Sequence, residues 1–254
     1  MFKKALNYFN GFLRNKRFLY AVIVTVLFVI LSMIPDYLPF HIFTSDTSRP
    51  VMNSLWTSIL MSAIINLVLI FFWFFFIRNY PELKQEKNSI FIKFISKFLI
   101  LTFLSLIVII TACIMFFPVS DIKTLIPSEL LTQWFIISFP FIIFISSLSA
   151  FLESTEKLKG ITGIIIFIAV FLGVFMLSVL SIINKNFFID FSGFAHISKF
   201  MNYDINIFGN GILKETYLID KISYENSFIY GRFFMAFISI ILLFTGNFLH
   251  RKSN

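Results

Sequence analysis

The side chains of this sequence that could do chemistry are few, and their spacing fits no catalytic or metal-binding pattern. The histidines, His41, His196 and His250, stand far apart and match no zinc spacing. The single cysteine, Cys113, lies inside an apolar run, which suits a small packing residue rather than a disulfide. A membrane-embedded enzyme would need His, Asp or Glu clustered near one interface. Asp190, His196 and Asp204 are the only candidates, at intervals that match no metal motif. No Gly-x-x-x-x-Gly-Lys-Ser/Thr occurs, so this chain does not bind ATP through a P-loop. The patterned polar residues are of another kind. Ser54, Ser58, Ser62 and Asn66 recur every fourth position, with Thr57 beside them. Such a stripe drifts only about 40° per step around a helix and so keeps to one face. Small hydroxyl and amide groups there allow close helix approach and interhelical hydrogen bonds. The same face could instead line a pathway or a subunit interface.

The elements that carry this stripe must be membrane helices. Of 254 residues, 58% are hydrophobic, 13% are charged and 38 are Phe, with a mean hydropathy of +0.90. A soluble domain runs nearer roughly 45–50% apolar and about 25% charged. Six stretches are long enough, or nearly so, to cross a bilayer: 18–34, 51–77, 94–117, 131–152, 160–183 and 233–249. They predict an all-α, polytopic membrane protein forming one transmembrane domain over 1–254. Pro140 should kink the fourth span, and Gly160, Gly163, Ala169 and Gly173 predict tight packing of the fifth.

Charge gives the orientation. With six spans both termini share a side, and sorting the chain by side gives +10 there and −2 opposite, which recovers the formal net charge of +8. Positive-inside places both termini in the cytoplasm. The basic balance is therefore topological, and nucleic acid is not an expected partner. A composition rich in Phe, Ile, Asn and Lys is typical of AT-rich Gram-positive genomes, which predicts the cell membrane of such a bacterium.

Outside the spans, residues 2–16 form an amphipathic pattern. Phe2, Ala5, Leu6, Phe9, Phe12 and Leu13 share one face and Lys3, Lys4 and Arg14 the other. They predict a helix in the membrane interface, anchored by Lys3, Lys4, Arg14, Lys16 and Arg17, serving as a plain anchor or bordering a partner protein. The inner segment 80–96 follows a breaker at Tyr80-Pro81 and mixes alternating charge with Ile90, Phe91, Phe94 and Ile95, predicting a short helix with one face on the membrane. The long outer segment 184–231 is rich in Phe, Tyr, Asn and Gly, and Gly209-Asn210-Gly211 is a hairpin signal within it. It reads as a lid or as a folded spacer.

The apolar cores of the six stretches contain no Asp, Glu, Arg or His, and Lys97 near the inner end of the third can snorkel to the interface. Ion- or proton-coupled transport needs ionisable groups at membrane depth. Any uphill movement would then draw its energy from another subunit.

These features together resemble the permease subunits of ABC exporters of the ABC-2 type. "NGFLRNKRFLY" is similar to that family's basic run into the first helix, and "EKNSIFIKFISKFLI" to its coupling segment, without the usual Pro-Ile/Val-Ser between the two halves. The resemblance implies a second permease copy or a homologous partner, with no cofactor on this chain. Separate ABC ATPase subunits would carry ATP and Mg. They would dock on Lys84, Glu86, Lys87, Ser89, Phe91 and Lys93 and on the turn of Glu153, Glu156 and Lys157. A pathway of Phe, Ser and Asn suits a hydrophobic or amphipathic peptide, or lipid-like cargo. The alternative is a non-transporting immunity or sensor protein that binds peptides at the cell surface.

Overall fold

In lipid every backbone N–H and C=O must be satisfied within its own segment, so long apolar runs fold as helices. The computed structural model describes residues 1–33, 51–78, 89–119, 125–200, 216–217 and 222–253. Six of its helices are long and apolar enough to cross a membrane. After α1 (Phe2–Leu13) these are α2 (Lys16–Met33), α3 (Ser54–Arg78), α4 (Ile90–Pro118), α5 (Pro127–Phe151), α7 (Ile161–Asn184) and α9 (Asn226–Arg251). A short turn of helix, α6 (Glu156–Lys159), precedes α7, and α8 (Phe194–Phe200) follows it. Val51–Met52 and Thr216–Tyr217 pair as a minimal parallel ladder.

Helices α3 and α5 form the centre, with 67% and 61% of their spans buried, whereas α7 is only 22% buried and shows most of its apolar surface. The centre is fastened by the few polar groups available. Trp73 Nε1 donates to Thr25 Oγ1 at 2.8 Å, joining α3 to α2, and Trp134 Nε1 donates to Ser105 Oγ at 3.0 Å, joining α5 to α4. Away from water such bonds have no competitor and hold helices that hydrophobicity alone would not sort. Phenylalanines attach the exposed α7, with the Phe74 and Phe167 rings stacked 3.4 Å apart.

Both central helices contain a widened turn, Ile65–Leu69 in α3 and Trp134–Ser138 in α5. The second has a local cause, since Pro140 lacks an N–H and a normal turn cannot run through it. It stands where the sequence placed the kink. The first contains neither Pro nor Gly, and its cause is tertiary: Asn66 within it donates from Nδ2 to Ser192 O at 2.6 Å and reaches Ile137 O, in the second widened turn, at 3.4 Å.

Two expectations change. Residues Ile90 to Lys97 do not form a separate surface helix but are the first turns of α4, an unbroken helix from Ile90. No breaker follows Ser89, and Ile90 packs with Ala150 and Leu243 while Phe91 and Phe94 cover them. In α7, Gly173 is exposed with no atom within 4 Å of the place a Cβ would occupy, so the expected tight packing fails there. It holds at Gly163. A methyl added there would overlap the Leu158 carbonyl oxygen and stand 2.6 Å from Arg78 Nη2. Gly163→Ala should therefore cost about 1–3 kcal/mol. Gly173→Ala should be neutral or gain up to about 1 kcal/mol from helix propensity. Thermal unfolding of the two variants in one detergent checks the contrast, which equal effects would contradict.

Candidate functional site

Two buried polar clusters lie in the bundle, one towards each end. The end that carries both termini is basic: Lys3, Lys4, Arg14, Lys16, Lys157 and Arg251 are exposed there, with Arg17 half-buried. Ser96 Oγ near the start of α4 reaches Ala5 O of α1, and Phe91 meets Phe244 of α9, which brings the termini to this end.

At that end the first turns of α4 aim two lysines inward. Lys97 Nζ lies 2.6 Å from Glu153 Oε1 and donates to Ser149 Oγ and O at 2.9 and 3.0 Å. Lys93 Nζ is 4.0 Å from Glu153 Oε2 and 3.5 Å from Glu153 O. Both lysines are fully buried and Glu153 nearly so. Lys97 therefore does not snorkel to the interface, because a buried carboxylate on the turn after α5 meets it inside. Arg78, at the end of α3, lies against Phe74 at 5.5 Å and donates from Nη2 to the carbonyls of Leu158, Lys159 and Gly160 at 2.9–3.0 Å. It thereby fixes the turn between α6 and α7.

The expected docking residues divide accordingly. Lys93 and Glu153 belong to this interior cluster and are buried, Glu156 and Lys157 are exposed, and Ser89 and Phe91 are half-buried. Lys84, Glu86 and Lys87 lie outside the described residues, as do His41, Asp204 and Gly209 to Gly211.

Towards the other end the chain turns back into the bundle after α7. Lys185 adopts a left-handed conformation (φ 51°), a short 3-10 turn follows at Phe187–Ile189, and α8 starts after Gly193. Phe187, Asp190, Ser192, Ala195 and His196 are all buried. Ser192 meets Asn66, which lies roughly 18 Å along α3 from Ser54 at the ordinary helical rise. Residues Phe187 to Ile197 of the expected outer loop thus pack into the bundle, beside the polar stripe. Gly193 (φ 81°) permits this close approach, since a Cβ there would stand 2.7 Å from Ile137 Cγ2 and 3.2 Å from Arg232 Nη2.

Arg232 of α9 closes this cluster. It donates from Nη1 to Phe191 O and from Nη2 to Asp190 O, both at 2.7 Å, and its Cζ lies 4.1 Å from the Phe228 ring centroid. Asp190 Oδ2 accepts from the His196 backbone N–H at 2.8 Å, capping the start of α8. The His196 ring lies parallel to Tyr224 and Phe228, with centroids 4.9 and 4.3 Å away. Tyr224 donates its hydroxyl to Gln133 Oε1, and burial pushes the phenol pKa up, which keeps that donor protonated. Among the described residues no group of three or more His, Cys, Asp or Glu could hold a metal ion.

The stripe itself is interior to this one chain. Ser54 Oγ accepts from Ile126 N at 2.8 Å, Ser58 Oγ donates to Leu55 O at 2.6 Å, and Ser54, Ser58, Ser62 and Asn66 are all buried. In this arrangement it packs helices and holds the re-entrant segment.

The reading of charge-free spans also changes. Helix α9 begins at Asn226 rather than at 233, which places Arg232 inside a helix, and the re-entrant segment carries Asp190 in beside it. Arg232, Arg78 and the Lys97–Glu153 pair have no local motif. The available signal was a lone charge within a turn or two of an apolar run, which costs too much there to lack a partner. No protein-family model matches this chain, no curated protein matches it, and no solved structure matches it.

Proposed function

We propose that this chain is the membrane-spanning permease subunit of an ABC exporter of the ABC-2 type, with amphipathic peptides or lipid-like molecules as cargo. Separate ATPase subunits supply ATP and Mg, and a second copy or a homologous permease completes the pathway. The observation that carries this reading is the charged platform at the basic end, where exposed Lys3, Lys4, Arg14, Lys16, Glu156 and Lys157 stand beneath six apolar helices. In this reading α1 lies in the cytoplasmic interface of a Gram-positive cell membrane, 184–231 faces outward, and the exposed Glu156–Lys157 turn receives the ATPase. Asp190 and Arg232 do not argue for ion coupling. Arg232 is held by two carbonyls and Asp190 caps α8, so both have structural employment.

The test is co-purification of the full chain from its native host in mild detergent, scored by ATP hydrolysis and by mass-spectrometric identification of a Walker-A subunit. Reversing the platform with Glu156→Lys and Lys157→Glu should lower ATPase retention about ten-fold, the loss of roughly 1.4 kcal/mol of docking. A wild-type chain that binds peptide but retains no ATPase is the immunity or sensor protein instead.

A further inference from the structure

The two widened turns stand opposite one another at one depth of the bundle. In each, the closing N–H reaches five residues back, from Ile70 to Ile65 O in α3 and from Phe139 to Trp134 O in α5. Asn66, in the first, reaches Ile137 O, in the second, at 3.4 Å. A widened turn in the middle of a helix interrupts the regular hydrogen-bond ladder and is a place where long helices bend. Each turn also holds one unmet polar group. Asn66 Oδ1 and the Ser138 hydroxyl are buried with no hydrogen-bond partner among the described residues. Unmet buried groups lower the cost of leaving the closed arrangement at this level.

The helix halves on either side are fastened differently. Towards the basic end, α5 runs into Glu153, which Lys97 of α4 holds at 2.6 Å, and Trp73 ties α3 to Thr25 of α2. On the far side, Ser54 of α3 accepts from Ile126 N just before α5, so the two far halves are joined to each other. Helix α4 runs unbroken past both, and Trp134 Nε1 on Ser105 Oγ pins the second widened turn to it. Across this joint lies the re-entrant segment. Its Ser192 O accepts from Asn66 Nδ2 at 2.6 Å, and its Gly193 packs against Ile137.

We infer that the two widened turns form one hinge, at which the far halves of α3 and α5 swing together against α4, and that the re-entrant segment is its latch. The bond from Asn66 to Ser192 holds the latch shut. The hinge stands whether or not the chain is an exporter subunit.

The test measures distances between paired spin labels in the full chain carrying Cys113→Ala, in one detergent. Ile126→Cys reports the far half and Lys157→Cys the basic end, both at exposed positions. Phe72→Cys, exposed on the basic-end half of α3, forms the control pair with Lys157→Cys. Asn66→Leu releases the latch from α3. Gly193→Ala releases it from the other side, since the added methyl would stand 2.7 Å from Ile137 Cγ2. The far half of α3, Ser54–Ile64, has 11 residues. At about 17 Å long, it moves its end by about 6 Å when it swings through about 20°. Both variants should therefore shift or broaden the 126–157 distance by about 6 Å and leave the 72–157 distance unchanged. The proposal is overturned if neither variant moves the far pair, or if only one of two folded variants does. It also falls if the control pair moves as far, which is general loosening. Amide hydrogen exchange of the wild type keeps the test decisive if Asn66→Leu fails to fold. Ile65–Leu69 and Trp134–Ser138 should exchange about ten-fold faster than the turns above and below them, and uniform protection overturns the hinge.

Discussion

Glu153→Gln should lower the stability of this protein by about 3–5 kcal/mol, the range for breaking a buried ion pair from one side. The change is nearly isosteric, so it leaves the packing and removes one charge. The wild-type carboxylate lies 2.6 Å from Lys97 Nζ and 4.0 Å from Lys93 Nζ, with both lysines at 0% exposure. After the substitution the buried Lys97 ammonium keeps only the Ser149 hydroxyl and carbonyl, which cannot neutralise it. The penalty belongs to the stranded Lys97 cation rather than to the lost attraction. A second variant separates these: Glu153→Gln combined with Lys97→Met removes the principal stranded charge and should recover more than half of the loss. Thermal and denaturant unfolding in one detergent provide the comparison. A loss below about 1 kcal/mol for the single variant, or no recovery in the double, would show that the pair does not exist as described.

The helices were legible because their cause is local. Any run such as Ile161 to Asn184 must satisfy its own backbone in lipid, and no tertiary partner is needed to say so. The sorting of exposed lysines and arginines to one end was legible for the same reason. The polar interior was not. Lys97 meets Glu153 across 56 positions of sequence, Asn66 meets Ser192 across 126, and Arg232 meets Asp190 across 42. Lys97, Glu153 and Arg232 each stand near the end of a predicted span, where a charge is ordinary. A shift of a few residues in the start of α9 decides whether Arg232 faces water or the bundle, and element boundaries are what periodicity fixes least well. The re-entrant segment was hidden differently. Asn184 to Phe200 is polar enough to read as a loop outside the membrane, and it is distant partners, Asn66 on Ser192 and Arg232 on Asp190 and Phe191, that draw it inward. The stripe on α3 was read as one face, and Asn66 on it meets both Ile137 of α5 and Ser192 of the segment after α7, contacts that no local pattern announces.

Replacing Arg232 by Met should cost about 3–5 kcal/mol and loosen the re-entrant segment selectively. The guanidinium bridges two successive carbonyls, those of Asp190 and Phe191, with both bonds at 2.7 Å, and lies on the Phe228 ring at 4.1 Å. Methionine fills comparable space but donates nothing. Phe191 O then loses its side-chain donor, Asp190 O keeps only the Gly193 N–H, and the buried carboxyl of Asp190 loses its nearby cation. Amide hydrogen exchange should rise most from Phe187 to His196, whereas the Lys97–Glu153 end should change little. Arg232→Lys is the sharper variant. It keeps the charge, so if charge alone mattered it would restore stability. A single ammonium cannot span both carbonyls at this geometry and cannot stack flat on Phe228, so the lysine variant should recover less than half of the loss. Full recovery by lysine would reduce Arg232 to a counter-charge for Asp190. Partial recovery, with exchange still elevated over Phe187 to His196, identifies the planar fork as the clasp that keeps the segment inside the bundle.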